Sequence, residues 1–324
     1  MPRTFVSRQI FPEYIKSIQD NTEAEIWEDE LPPSREVLLE KVRGIDGLLC
    51  LLTDQIDAEL MDTAGPQLKV ISQIAVGYNN IDIPEATKRG IPVGYTPDVL
   101  TQTTADATLA LMLAAGRRIT ESERAVRDGN WRTWHPLHFL GQDLYDATVG
   151  IIGMGRIGLE VAKRCLGFDA NILYYDVAQR KDLESDYPLK FVDLDTIFRE
   201  SDFVSIHTVL DETTHHLIND EALSKMKNNS ILVNAARGPI VDHKALYNAL
   251  SQGEIAGAGL DVTDPEPIPL DDPLLTLDNC VIVPHIASAS VKTRYEMSRI
   301  SATNLLNGIK GEKLLTCVNP EVYE

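Results

Sequence analysis

A chain of 324 residues, 44% of them apolar, exceeds the size at which one hydrophobic core usually stops growing, so two domains are expected. Its formal net charge of −19 argues against a nucleic-acid partner, which would be held through basic patches, but leaves room for an anionic small molecule in a locally positive pocket. Four scattered cysteines with no metal-ligand spacing, no signal-peptide core and no apolar stretch longer than residues 109–116 predict a cytoplasmic protein with neither a metal site nor a membrane span.

Residues 1–98 alternate short apolar runs with helical patterns: RTFVSRQI, PEYIKSIQD, AEIWED, SREVLLEKVRG, GLLCLLTD, LKVISQIAVG, DIPEATKRG and IPVGYTP. Such alternation predicts an α/β layer on a parallel sheet. The segment VLTQTTADATLALMLAAGRRITESERAVRDGNW has helical periodicity and many helix formers, and reads as a helix bridging two domains. A second α/β set begins near Leu144 and runs through ILYYD, DFVSIHT, SILVNAA, AGLDV and VIVP. The tail SVKTRYEMSRISATNLLNGIKG reads as a further amphipathic helix ending near Gly308, and its pattern assigns it to neither domain.

Inside the second set, TVGIIGMGRIGLEVAKRC places Gly153, Gly155 and Gly158 between an apolar run and an amphipathic helix, with Asp176 closing ANILYYD eighteen residues later. This is the context a dinucleotide fingerprint requires. Gly153 permits the tight turn, Gly155 lets a pyrophosphate approach the backbone, and Gly158 lets the helix pack close to the strand. The helix N-terminus then offers unpaired N–H groups to the phosphates. A carboxylate at Asp176 accepts hydrogen bonds from ribose hydroxyls and repels a 2′-phosphate, favouring NAD(H). NADP(H) stays as the second reading, because Arg180 and Lys181 lie close enough in sequence to reach a phosphate.

Three further residues follow apolar runs that read as buried strands: Arg237 after SILVNAA, Glu266 after EIAGAGLDV, and His285 after NCVIVP. In an open parallel sheet, groups beyond the carboxyl ends of the strands gather at one edge, where ligands bind. A guanidinium, a carboxylate and an imidazole gathered there form an anion-binding and acid/base constellation. Taken singly, each has a plainer reading as a surface or turn residue; the shared placement sets the three apart. His215 and His216 are adjacent and lack metal-ligand spacing to nearby acids or cysteines.

The motifs GMGRIG, ILVNAARGPIVD, GLDVTDPEP, LLTLDNCVIVPHIAS and AVGYNNID, with their spacing, resemble the D-isomer-specific 2-hydroxyacid dehydrogenases, most closely the glyoxylate/hydroxypyruvate reductase branch. The resemblance implies two doubly wound parallel sheets, with a Rossmann cofactor domain (99–287) inserted into a flavodoxin-like substrate domain (1–98 and 288–324). It implies a homodimer formed through the cofactor domains. It also implies reduction of glyoxylate to glycolate and of hydroxypyruvate to D-glycerate, with His285 as the proton donor and Glu266 as its partner. A carboxylate beside an imidazole favours the protonated ring that reduction needs.

Arg237 would bind the carboxylate of a 2-keto acid and polarise its keto oxygen, joined by the backbone amides of Val76 and Gly77 and by the hydroxyl of Ser288. On the cofactor side the resemblance implies Thr104 near the nicotinamide, Arg156 and Ile157 at the pyrophosphate, and Asp261 on the carboxamide. The chain departs from the family at Val209, where proline is frequent, and at His138, where close relatives often carry tryptophan. Two alternatives stand: the dehydrogenase of another D-2-hydroxy acid such as phosphoglycerate or D-lactate, and a nicotinamide-sensing, corepressor-like binding protein.

Overall fold

The structure, a computed structural model, describes residues 1–324 and divides into two compact units. The first comprises Met1–Leu100 and Ser290–Glu324, the second Thr101–Ala289. These junctions fall two residues beyond those expected from the sequence.

The first unit carries five parallel strands: β1 (Arg3–Val6), β2 (Glu23–Ile26), β3 (Gly47–Cys50), β4 (Val70–Gln73) and β5 (Val93–Gly94). Their order, β2-β1-β3-β4-β5, is the flavodoxin-like one expected. Every residue of β3 and β4 is buried, as befits central strands covered by helices on both faces. The C-terminal helix, Val291–Lys310, joins this unit. Ser72 Oγ donates to Ser301 O at 2.8 Å, and fully buried Asn304 accepts from Leu315 N at 2.9 Å. Past the helix, Val318 N donates to Val93 O at 2.8 Å and covers the open edge of β5.

That helix ends at Lys310, near Gly308 as its sequence pattern indicated, but Gly308 itself is not the stop. A Cβ on Gly308 would lie 2.5 Å from Val70, so this glycine serves a close approach to the sheet. The helix stops instead at Gly311, whose φ of 75° is left-handed.

The second unit carries seven parallel strands: β6 (Thr148–Ile152), β7 (Asn171–Tyr175), β8 (Leu189–Phe191), β9 (Phe203–Ile206), β10 (Ile231–Asn234), β11 (Gly257–Leu260) and β12 (Cys280–Ile282). The order β12-β11-β10-β9-β6-β7-β8 reverses direction at β6, giving the expected Rossmann arrangement with its switch point between β6 and β9. The long periodic segment before β6 is two helices, Thr101–Gly116 and Ile119–Arg127, separated where Arg118 adopts φ 53°. Ala105, Leu111 and Met112 of the first helix sit in the core with Val149, Ile151 and Val233, so this helix is part of the second unit's interior.

No helix is long and apolar enough to cross a membrane.

Candidate active site

The site in the second unit is built at the carboxyl ends of β6, β7, β10, β11 and β12. After β6 the chain turns at Gly153 with φ 95°. A Cβ there would lie 2.7 Å from the backbone of His207 and Thr208, and one on Gly158 would lie 2.2 Å from Gly153 O, so both positions require glycine for close packing. Gly155, the N-cap of the helix Arg156–Leu166, differs: nothing lies within 4 Å of its Cβ direction. A tight turn, a close helix and an open backbone at the helix start make a cradle that fits a pyrophosphate. Arg156 is exposed at this helix start and Ile157 is partly buried behind it.

Asp176 follows β7 and is tied to the glycine loop. Its Oδ2 accepts from Met154 N at 2.8 Å and its Oδ1 from Val177 N at 2.7 Å. Arg180 stands close by but is engaged, donating to Met154 O at 3.0 Å and pairing with Asp182 at 2.7 Å. Lys181 begins the short helix Lys181–Glu184. Thr104 is buried in the helix Thr101–Gly116, where its carbonyl accepts from Thr108 Oγ1 at 2.8 Å.

Arg237 is fixed by its own turn. Asn234, the fully buried last residue of β10, accepts from Ala236 N at 3.0 Å and donates from Nδ2 to Arg237 O at 2.8 Å. The Arg237 side chain donates from Nη1 to Ala236 O at 2.7 Å. Gly238 lets this turn press on the next loop, since a Cβ there would fall 1.9 Å from Thr263 O. Burial pulls the Arg237 pKa down while the Glu266 carboxylate opposes that shift. The guanidinium remains a cation, as arginine does in proteins.

Asp261, just past β11, organises the histidine. Its carbonyl accepts from His285 N at 2.9 Å, while its carboxylate accepts from Ile286 N at 2.7 Å and Ala287 N at 3.0 Å. Burial raises the Asp261 pKa, against these amide bonds and the nearby His285. The residue expected to hold a carboxamide thus also holds the turn that carries His285. That turn needs support, because His285 sits at φ 51°, an uncommon conformation for a non-glycine residue. On its side-chain end, His285 Nδ1 lies 2.5 Å from Glu266 Oε1. Thr263 Oγ1 donates to Pro265 O at 2.9 Å and steadies the loop bearing Glu266. Ser288 is buried three residues past His285.

The second unit therefore brings Arg237, Asp261, Glu266 and His285 into one hydrogen-bonded and electrostatically linked group. Val76 and Gly77 lie in the first unit, on the loop after β4, both partly buried. Sequence reasoning missed Asn234, although N-A-A-R-G carries the signal of a side chain capping its own turn. It also passed over His207, which is neutral at ordinary pH: burial depresses its pKa to about 4, and its Nε2 lies 2.8 Å from Ser205 Oγ.

Comparison with known proteins assigns the family. The family description "D-isomer specific 2-hydroxyacid dehydrogenase, NAD binding domain" matches residues 109–287. A glyoxylate reductase of Korarchaeum cryptofilum is 52% identical over 324 residues, which is 100% of this chain and 97% of the relative. Among solved structures, a protein from Thermus thermophilus superposes with a TM-score of 0.92 at 43% identity, covering 98% of this chain and 99% of that one. An NADPH-dependent glyoxylate/hydroxypyruvate reductase from Sinorhizobium meliloti, solved with NADP and malonate, gives a TM-score of 0.85 at 32% identity, covering 98% of each chain.

Proposed function

The chain belongs to the D-isomer specific 2-hydroxyacid dehydrogenase family, and from that premise we propose that it is a glyoxylate reductase that also takes hydroxypyruvate, making glycolate and D-glycerate. The observation that carries this reading is the His285–Glu266 contact of 2.5 Å, grouped with Arg237 at one sheet edge. Arg237 binds the carboxylate of the 2-keto acid and withdraws electron density from its keto oxygen, a task for which a planar guanidinium with several donors is suited. The amides of Val76 and Gly77 and the hydroxyl of Ser288 add donors to the substrate.

His285 holds a proton on Nε2 and gives it to the keto oxygen as the alcohol forms. Glu266 accepts a hydrogen bond from Nδ1–H, which fixes the ring's orientation for that transfer. In the oxidative direction the neutral ring takes the proton back. When bound, the nicotinamide cofactor supplies the hydride. Gly153, Gly155, Arg156, Ile157 and Gly158 hold its pyrophosphate, Asp176 its adenosine ribose, and Thr104 and Asp261 its nicotinamide end. Asp176 favours NADH, and Arg180 would have to leave Asp182 to serve a 2′-phosphate.

Residues 1–100 with 290–324 act as the substrate domain and 101–289 as the cofactor domain. The protein works in the cytoplasm, whose reducing conditions suit its four free cysteines. It pairs as a homodimer through the cofactor domain, where Ile119, Val126, Trp131, Trp134, Leu137 and Leu140 are each at least 50% exposed.

The test is the initial rate of NADH and NADPH oxidation with glyoxylate, hydroxypyruvate and pyruvate, alongside His285→Ala. Fast turnover of the first two, lost in the variant, is expected. NADH binding without turnover of any of the three would overturn the reductase reading in favour of another acid substrate or a sensing role.

A further inference from the structure

The loop that follows β4 carries Val76 and Gly77, and its shape is set from below by a side chain outside the family motifs. Gln73 is the last residue of β4 and is fully buried. Its Nε2 donates to Gly77 O, four residues ahead. Its Oε1 accepts from Asn80 Nδ2 at 2.8 Å, with the Cys50 thiol at 3.8 Å.

The amide directions are dictated by the surroundings. Asn80 Nδ2 also faces Leu51 O at 3.1 Å and Asp54 O at 2.8 Å, and carbonyls can only accept. Gln73 must therefore offer oxygen to Asn80 and nitrogen to Gly77. The far end of this chain is anchored too: the Asp54 carboxylate accepts from Ser7 Oγ at 2.5 Å and from Leu51 N at 2.9 Å. A primary amide at the end of a fully buried strand is costly unless every polar atom is paired, and here both ends are paired across one short loop. Asn234 at the end of β10 does the same for the turn that carries Arg237.

We propose that Gln73 is a positioning residue for substrate binding: by drawing the Gly77 carbonyl inward, it fixes the adjoining peptide planes and aims the Val76 and Gly77 amides at the substrate carboxylate. This rests on the reading of those amides as carboxylate donors. An interaction made equally with substrate and transition state changes KM and leaves kcat in place. The role therefore predicts a KM effect for the keto acid without loss of cofactor binding.

Two variants test it. Gln73→Met keeps the length and removes both hydrogen bonds. Its KM for glyoxylate should rise about tenfold, with kcat and the NADH dissociation constant within about twofold of wild type. Gln73→Glu keeps the shape and the acceptor facing Asn80, but only its protonated form can donate to Gly77 O. Burial favours that neutral form. Its KM, divided by the wild-type KM at the same pH, should be raised near pH 9 and fall back toward one near pH 5.5, while that of Gln73→Met stays raised at both. The titratable groups facing this position, Cys50 and Asp54, are present in all three proteins, and burial raises the pKa of each; Gln73→Met, which adds no charge, shows what they contribute to the ratio on their own.

Wild-type KM in both variants alongside a lowered melting temperature would show a purely structural Gln73 and overturn the proposal. A ratio for Gln73→Glu that stays raised near pH 5.5 would do the same, and this arm stands even if Gln73→Met fails to fold. Absence of glyoxylate turnover in the wild type is a separate result, which overturns the reductase reading and this role with it.

Discussion

His285 Nδ1 lies 2.5 Å from Glu266 Oε1, although the two residues sit on different loops after different strands. The imidazole thus has one nitrogen committed to a carboxylate, and in the proposed mechanism Nε2 is the nitrogen that exchanges a proton with substrate. Glu266→Gln preserves the shape and an acceptor for Nδ1 but removes the charge. In the reductive direction kcat should fall by roughly 10- to 100-fold, within the range of general acid catalysis, while His285→Ala should lose more. Steady-state rates with saturating glyoxylate, beside NADH fluorescence titration, check this. Wild-type kcat in Glu266→Gln would reduce the contact to a structural one.

The alignment of Arg237 with Glu266 depends on a missing methyl group. A Cβ on Gly238 would fall 1.9 Å from Thr263 O and 2.2 Å from Thr263 C, both backbone atoms that cannot step aside alone. Gly238→Ala should therefore cost about 1–3 kcal/mol of stability and push the arginine turn away from the Glu266 loop. Thermal unfolding should show a melting temperature lower by a few degrees. Well below that temperature, kcat/KM for glyoxylate should be down by about tenfold or more. A variant with an unchanged rate would show that the loop spacing is not critical.

These two relationships mark where the sequence speaks and where it stops. The α/β class of both units followed from alternation and the glycine fingerprint, because periodicity and turn chemistry are local, whereas their flavodoxin-like and Rossmann topologies came from the resemblance alone. The placement of Arg237, Glu266 and His285 just past three apolar runs was legible for the same reason. A glycine, by contrast, is visible in sequence while its reason is not. Gly308 looked like a helix stop but serves contact with Val70, and Gly311 provides the left-handed stop. Gly116 lay inside an unbroken helical pattern, yet the helix ends there, with its Cα packed against the Phe203 ring and Arg118 turning left-handed. Clamps such as Asn234 and Gln73 were hidden because each holds a backbone atom of its own loop, Arg237 O or Gly77 O, and backbone atoms carry no residue-specific mark.

Asp176, the residue proposed to select the cofactor, is tied to the glycine loop through Met154 N at 2.8 Å. Asp176→Ala removes the acceptor for the ribose hydroxyls and the charge that repels a 2′-phosphate, and leaves Arg180 nearby. The ratio of kcat/KM for NADH over NADPH should drop by about tenfold or more, the range expected for loss of charge-assisted hydrogen bonds. Part of the NADH loss will come from a loosened loop, so gain of NADPH activity is the decisive reading. Unchanged selectivity would remove Asp176 from the discrimination.

His207 makes stability depend on acidity. It lies beside Gly153 at the end of β9, and burial holds its pKa at about 4, below the ordinary value of 6.5. A depressed histidine pKa means that the unfolded chain takes up a proton which the folded chain refuses. The stabilisation is thus present above about pH 6.5 and is lost as the pH falls toward 4, by up to about 3 kcal/mol. Replacement by glutamine, which keeps a polar group near Ser205 but does not titrate, should flatten this part of the pH dependence. Urea midpoints for wild type and His207→Gln at several pH values across that window measure the difference directly. Parallel slopes in the two proteins would place the acid sensitivity elsewhere and leave His207 with only its packing role against the glycine turn.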